Sequence, residues 1–149
     1  MNVLVSLVNS ILNWLRCLAW FPPLLARITV GYVFIESGWG KLHHIDKVID
    51  FFTSLGLKAP VLQAHLVAGS ELVCGCLLLA GLFTRLACIP LTIIMIVALR
   101  TARAEDLHSF SDLVGFTEYL YVVLMIWLAI AGAGAVSIDK LLARKFRRR

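Results

Sequence analysis

Glu36, Glu71 and Glu118 are carboxylates set within or beside apolar runs long enough to cross a lipid bilayer. An ionised carboxylate is costly in hydrocarbon, so each must face a bundle interior, meet a basic partner or take up a proton. The same constraints suit such a group to bind, or protonate, a small polar ligand such as a quinone headgroup. Glu71 is the strongest candidate, because it falls roughly 14 Å into its run at about 1.5 Å per residue, near mid-membrane. By the same counting Lys41, Arg100, Glu36, His65 and Glu118 all sit in the outer half of the membrane. These six residues form the candidate ligand-binding set, and Glu71, aided by Lys41 and Arg100, is expected to form the polar end of a cavity open to the outer side of the membrane.

Each also has a plainer reading. Glu71 could simply tie helices together through Arg100 or Lys41. Glu36 lies just over one turn from the end of its run and can reach the interface, while Arg100 can snorkel along its stem to headgroups. Glu118 suits the first turn of a helix, where a negative charge complements the dipole, with Thr117 as its cap. Tyr119 and Tyr121 fit an interfacial aromatic belt.

Metal and thiol chemistry fit poorly. His43 and His44 are adjacent in a connection, His108 lies in another, and only His65 falls within a helical run, whereas a transmembrane haem needs imidazoles facing each other from two spans. Cys74 and Cys76 form a C-x-C roughly 200° apart around a helix, without the C-x-x-C spacing of a redox pair. Cys17 and Cys88 read as small apolar fillers. No metal site is expected, and no catalytic residue is identified.

The elements that must position these groups are four apolar stretches, Pro23 to Gly40, Leu62 to Phe83, Leu86 to Ala102 and Thr117 to Val136, each near the ~17 to 25 residues of a membrane-crossing helix. The composition agrees: 60% of the 149 residues are hydrophobic and 15% charged, against roughly 45 to 50% and about 25% in soluble domains. The expected fold is all-α, an integral membrane four-helix bundle of one domain over residues 22–142, with a basic tail at 143–149. Residues 1–21 read as an interfacial amphipathic helix. Asn2, Ser6, Asn9, Ser10, Asn13 and Arg16 recur at spacings of three and four, apolar residues cover the rest, and Pro22 and Pro23 end the segment. It has no Lys or Arg before Arg16 and no small-x-small site, so it does not read as a secretory signal.

Arg16, Arg27, Arg85, Lys140, Arg144, Lys145 and Arg147 to Arg149 fall on one side of four antiparallel helices. Lys41, Lys47, Lys58, Arg100 and Arg103 fall on the other, mixed with acids. The positive-inside rule then places both termini in the cytoplasm. The net charge of +5 is thereby read as topology, the tail being suited to anionic headgroups, and nucleic acid is not an expected partner.

Arg27, Gly31, Phe34, Gly38 and Lys41 share one face of the first stretch, and Glu71, Gly75, Leu78, Leu82 and Arg85 share one face of the second, with Gly69 and Gly81 nearby. Small residues let helix backbones approach in lipid, so these two faces are expected to meet.

Here the sequence resembles the DoxX family of bacterial inner-membrane proteins. The resemblance rests on Leu25-Ala26-Arg27 followed by Gly31 and Phe34, Gly38-Trp39-Gly40-Lys41-Leu42, Glu71 with Gly75, Gly81-Leu82-Phe83-Thr84-Arg85, and Gly132 through Ser137-Ile138-Asp139-Lys140-Leu141. Where the family usually has Gly-Pro-Gly, this chain has Gly132-Ala133-Gly134. The resemblance implies a four-helix protein of the bacterial inner membrane in which Arg27, Gly31, Phe34, Gly38, Gly75, Gly81, Arg85 and Asp139 form the structural motif. It also implies an accessory subunit of a quinone- or thiol-linked redox assembly rather than a stand-alone enzyme, with redox partner proteins, and is compatible with a homo-oligomer; no covalently bound cofactor is expected, and the pocket at Glu71 would suit a quinone. The alternative is a non-enzymatic scaffold or assembly factor. An oligomeric small-molecule transporter stands third, since no span is visibly broken.

Overall fold

The structure is a computed structural model that describes residues 2–104 and 106–146, with the side chains of residues 2–6, 8 and 146 left out. The first part of the polar stripe, Asn2 and Ser6, and the tail residues Arg147 to Arg149 therefore lie outside what is described. Among the described residues all regular structure is helical: α1 (Asn2–Leu18), α2 (Phe21–His43), α3 (Ile45–Ser54), α4 (Pro60–Ala80), α5 (Thr84–Thr101), α6 (Phe110–Gly115), α7 (Thr117–Ala131) and α8 (Ile138–Phe146).

The helix ends follow from local chemistry. Pro22 and Pro23 open α2, where a missing N–H costs nothing. Gly81, at φ +68°, closes α4 by paired turns in which its N–H donates to the Leu78 carbonyl and that of Leu82 to the Leu77 carbonyl. Three helical segments are long and apolar enough to cross a membrane: Asn9–His43, which joins the end of α1 to α2, then α4, and then α5.

The fourth apolar stretch behaves differently. Its helix stops at Ala131, five residues before Val136, because Gly132 and Gly134 at φ +82° and +78° turn the chain back towards Pro23. A boundary drawn between residues 142 and 143 falls inside α8. The two longer connections also acquire helices of their own, α3 and α6.

α4 packs on α2 and α5, and α7 on α5 and α2, so these four helices close a ring. Val30, Phe34, Leu78, Cys88, Leu91, Met125 and Leu128 fill its centre. Outward-facing Leu62, Leu66, Val73, Leu86, Ile89 and Ile130 are exposed, the reverse of a soluble bundle. Among the described residues α1 makes no extended contact with the ring.

The tightest seam is between α2 and α4. A Cβ built on Gly38 would sit 2.5 Å from the Leu72 nitrogen and 2.8 Å from the Ala68 oxygen, and one on Gly31 would sit 3.0 Å from the Gly75 oxygen. Backbone thus touches backbone at both positions, the close approach that small residues allow where hydrophobic burial provides no drive. Gly69 and Gly40 meet nothing within 4 Å and take no part in it.

Candidate functional site

Ala64, Ala68, Glu71, Cys74, Gly75 and Leu78 are the buried residues of α4, a stripe at spacings of three and four turned towards α2. Small side chains on both sides of Glu71 let α2 come close, and the carboxylate is fully enclosed at the seam. α2 answers with two groups one turn apart. Lys41 Nζ donates to Glu71 Oε1 at 2.5 Å and Oε2 at 2.6 Å, and Ser37 Oγ donates to Oε2 at 2.9 Å. Charge-assisted bonds of this kind are the strong ones, and they offset the desolvation of a carboxylate placed here. The Lys41 side chain keeps 29% of its surface accessible, so the pair is sealed on the glutamate side only.

That accessible side is a cavity of about 980 Å³ between α2, α4 and α5, with Glu71, Lys41, Ser37 and Glu36 on its walls. α4 and α5 are joined by a tight turn at Gly81 to Phe83 and the cavity lies towards their far ends. α3 covers it. Its Val48 and Phe52 are half-buried against the space, while His44 and Lys47 line it as further polar groups. Met95 and Ala98 of α5 complete an otherwise apolar wall, and exposed Leu66, Ile93 and Val97 form a rim on the outer, apolar surface of the ring. The result is an apolar chamber with one fixed ion pair at its side.

Of the six residues selected from the sequence, the fold brings Glu71, Lys41 and Glu36 to this cavity. Arg100 is exposed and lines no part of it. His65 is exposed, with Nδ1 2.8 Å from the Val61 carbonyl of its own helix. Glu118 pairs instead with Arg103, Oε1 to Nε at 3.1 Å, and the Arg103 guanidinium lies 5.5 Å from the centre of the Phe116 ring. The Tyr121 ring lies 5.9 Å from that of Phe34 and tilted 57° to it, inside the ring of helices. Sequence reasoning passed over Ser37, although its spacing of four from Lys41 was a usable signal. It also passed over α3, which lies between the first two apolar stretches. Cys17, Cys74, Cys76 and Cys88 are all free thiols.

Four residues of the structural motif, Arg27, Gly81, Arg85 and Asp139, meet at the other end of the bundle, while its other glycines lie along the α2–α4 seam. Arg27 is buried and donates to the Val136 carbonyl, packed so closely against Gly81 that a side chain there would strike the guanidinium. The Asp139 carboxylate accepts the N–H groups of Phe83 at 2.8 Å and Thr84 at 3.2 Å, which caps the start of α5, while its own N–H donates to the Gly81 carbonyl at 3.0 Å. Arg85 donates to the Ile130 carbonyl at 3.2 Å. These bonds tie the α4–α5 turn to the chain after α7, and so hold the closed end of the bundle opposite the cavity.

The chain is similar to known membrane proteins. The family model for DoxX matches residues 23–104. The chain is 33% identical over 147 residues to an uncharacterized membrane protein of Mycobacterium tuberculosis, an alignment that covers 89% of this chain and 90% of that protein. It is 30% identical over 118 residues to CatD of Bacillus subtilis, whose name marks it only as a candidate oxidoreductase, with 78% and 83% covered. The inner membrane protein YphA of Escherichia coli is 31% identical over 128 residues, with 78% and 87% covered. No solved structure matches.

Proposed function

The chain belongs to the DoxX family of membrane proteins, and on that premise we propose that it is an accessory subunit of a quinone- or thiol-linked redox assembly in the bacterial inner membrane, holding a quinone-like molecule in its cavity. The observation that carries the reading is the Lys41–Glu71 pair at the side of a chamber of about 980 Å³. That volume is within the roughly 300 to 1,000 Å³ of pockets that take small organic ligands, and such pockets are mostly apolar with a few placed polar groups. An ammonium has three donors, and two of those on Lys41 serve Glu71. The third is left for a ligand carbonyl, with Phe52 and Met95 as apolar neighbours for a ring. Rim residues Ile93, Val97 and Leu66 lie on the outer apolar face, which suits a ligand arriving from the lipid phase. The oxidoreductase name of CatD points the same way.

The test is purification in mild detergent, solvent extraction and mass spectrometry of the extract. A quinone in near-stoichiometric amount is expected from the parent and much less from Ala98→Trp with Phe52→Trp, which narrow the chamber from two walls without replacing either member of the ion pair. Lipid alone from both, with no change in melting temperature on adding a decyl-chain benzoquinone, would remove the ligand reading. One observation favours the alternative scaffold reading: Glu71 is already bonded by Lys41 and Ser37, as a purely structural pair would be. Recovery of a partner protein without any small molecule would support it.

The reading includes a topology, in which α2, α4, α5 and α7 all cross, α1 lies in the interface and both termini are cytoplasmic. The basic residues Arg16, Arg85, Lys140, Arg144 and Lys145 support it. In a chain whose native cysteines are replaced, Lys47→Cys is expected to react with an impermeant maleimide in intact cells and Arg144→Cys only after permeabilisation. The reverse pattern inverts the topology.

A further inference from the structure

The closed end of the bundle, remote from the cavity, carries a second depression of about 380 Å³. Arg85 and Leu86 at the start of α5, the backbone of Gly132 to Gly134, and Ser137 with Lys140 form its walls. The Arg85 guanidinium is held in place there. Nη2 donates to the Ile130 carbonyl at 3.2 Å, and the group lies against Gly132, where a built Cβ would sit 3.2 Å from Nε. Only one of its five N–H donors is used by that bond. Asp139 shares the wall, but both of its oxygens are turned to the Phe83 and Thr84 N–H groups. Among the described residues, Arg85, Lys140, Arg144 and Lys145 enter no ion pair.

An apolar collar adjoins these cations. Phe83 is 57% exposed, Leu86 63% and Leu141 64%, at the level where the membrane-length helices α4 and α5 end. A held guanidinium and a free ammonium at a helix end, with apolar surface running from them along the helices, match a phosphate joined to acyl chains. A free anion would have no use for the collar.

We propose that this depression binds the phosphate headgroup of an anionic phospholipid through Arg85 and Lys140. The site is a located one, distinct from the general attraction of the basic tail for a charged surface. Phosphate oxygens accept from the outward N–H groups of Arg85 and from the Lys140 ammonium, and the chains lie along Leu86.

Native mass spectrometry of the full chain in dodecyl maltoside tests this, with phosphatidylglycerol titrated against phosphatidylcholine. The parent is expected to retain phosphatidylglycerol preferentially. Arg85→Gln with Lys140→Gln is expected to weaken retention about thirtyfold, and Lys140→Gln alone about fivefold, from the usual contribution of each basic residue near an anionic lipid surface. Lys140 is exposed and makes no side-chain bond, so the single variant carries the test if the Arg85 change disturbs folding. Arg144→Gln with Lys145→Gln is expected to leave retention unchanged. Equal weakening by both pairs would mean diffuse surface attraction, equal retention of phosphatidylcholine would mean no charge recognition, and displacement by millimolar inorganic phosphate would mean a free-anion site. Each of these overturns the proposal.

Discussion

Gly38→Leu is expected to lower the melting temperature of the protein in detergent by roughly 6 to 12 °C, from an overpacking cost of about 3 kcal/mol at some 2 to 4 °C per kcal/mol in a chain of this size. The reason is the nature of what the side chain would meet. A Cβ at this position already falls 2.5 Å from the Leu72 nitrogen and 3.0 Å from its Cα. These are atoms of a hydrogen-bonded helix that no rotamer change can move, so α2 and α4 must separate along the seam. Separation would also lengthen the bonds from Ser37 and Lys41 to Glu71, since both donors stand within one turn of Gly38. Gly31→Leu should act in the same direction. Gly69→Ala is the control, because that position is open and alanine in a helix is favoured over glycine by about 0.5 to 1 kcal/mol. Equal melting temperatures for Gly38→Leu and the parent would mean that the two helices do not touch where the structure joins them.

The second large effect is expected from breaking the ion pair on one side only. Lys41→Met leaves Glu71, which has no accessible surface, with Ser37 as its one remaining partner. Removing one member of a buried pair costs about 3 to 5 kcal/mol, and the partly accessible lysine places this site near the lower end. The double variant Lys41→Met with Glu71→Leu removes both charges together and is expected to recover most of the stability, because a buried pair exchanged for apolar groups is often neutral or better. Thermal melts of the four forms of this cycle give the coupling directly. Ligand retention separates stability from function. On the proposed function the double variant should fold and retain no quinone, whereas retention at the parent level would show that the pair only fastens α2 to α4.

Much of this could be read along the chain. Pro22 and Pro23, Gly81 and the apolar runs fix where α2, α4 and α5 begin and end, because termini depend on residues within a turn or two of themselves. The spacing of Arg27, Gly31, Phe34 and Gly38 marked the face of α2 that is buried, since a period of 3.6 residues is a local property. Glu71 stood out for the same kind of reason, being a carboxylate in a run that has no other. The fourth run was less legible: its composition is apolar through Val136, while Gly132 and Gly134 end the helix at Ala131 by backbone conformation.

Which charges meet was not legible. Lys41 and Arg100 were equal candidates for Glu71 by depth, and depth is all that counting residues along separate helices provides. The contact of Gly31, Gly38 and Gly75 sets the rotation and spacing of α2 against α4, and with them which side chains share a seam. That choice brings Ser37 and Lys41 onto Glu71, leaves Arg100 and His65 facing outward and gives Glu118 to Arg103. The cavity has the same origin, as its volume is what remains between α2, α4 and α5 once α3 folds across them. By itself the sequence determined the membrane-crossing helices, their glycine faces and a carboxylate in need of a partner, all matters of composition and short-range period. The partner and the chamber beside it depend on contacts between residues some thirty or more positions apart, whose geometry exists only when the helices are packed.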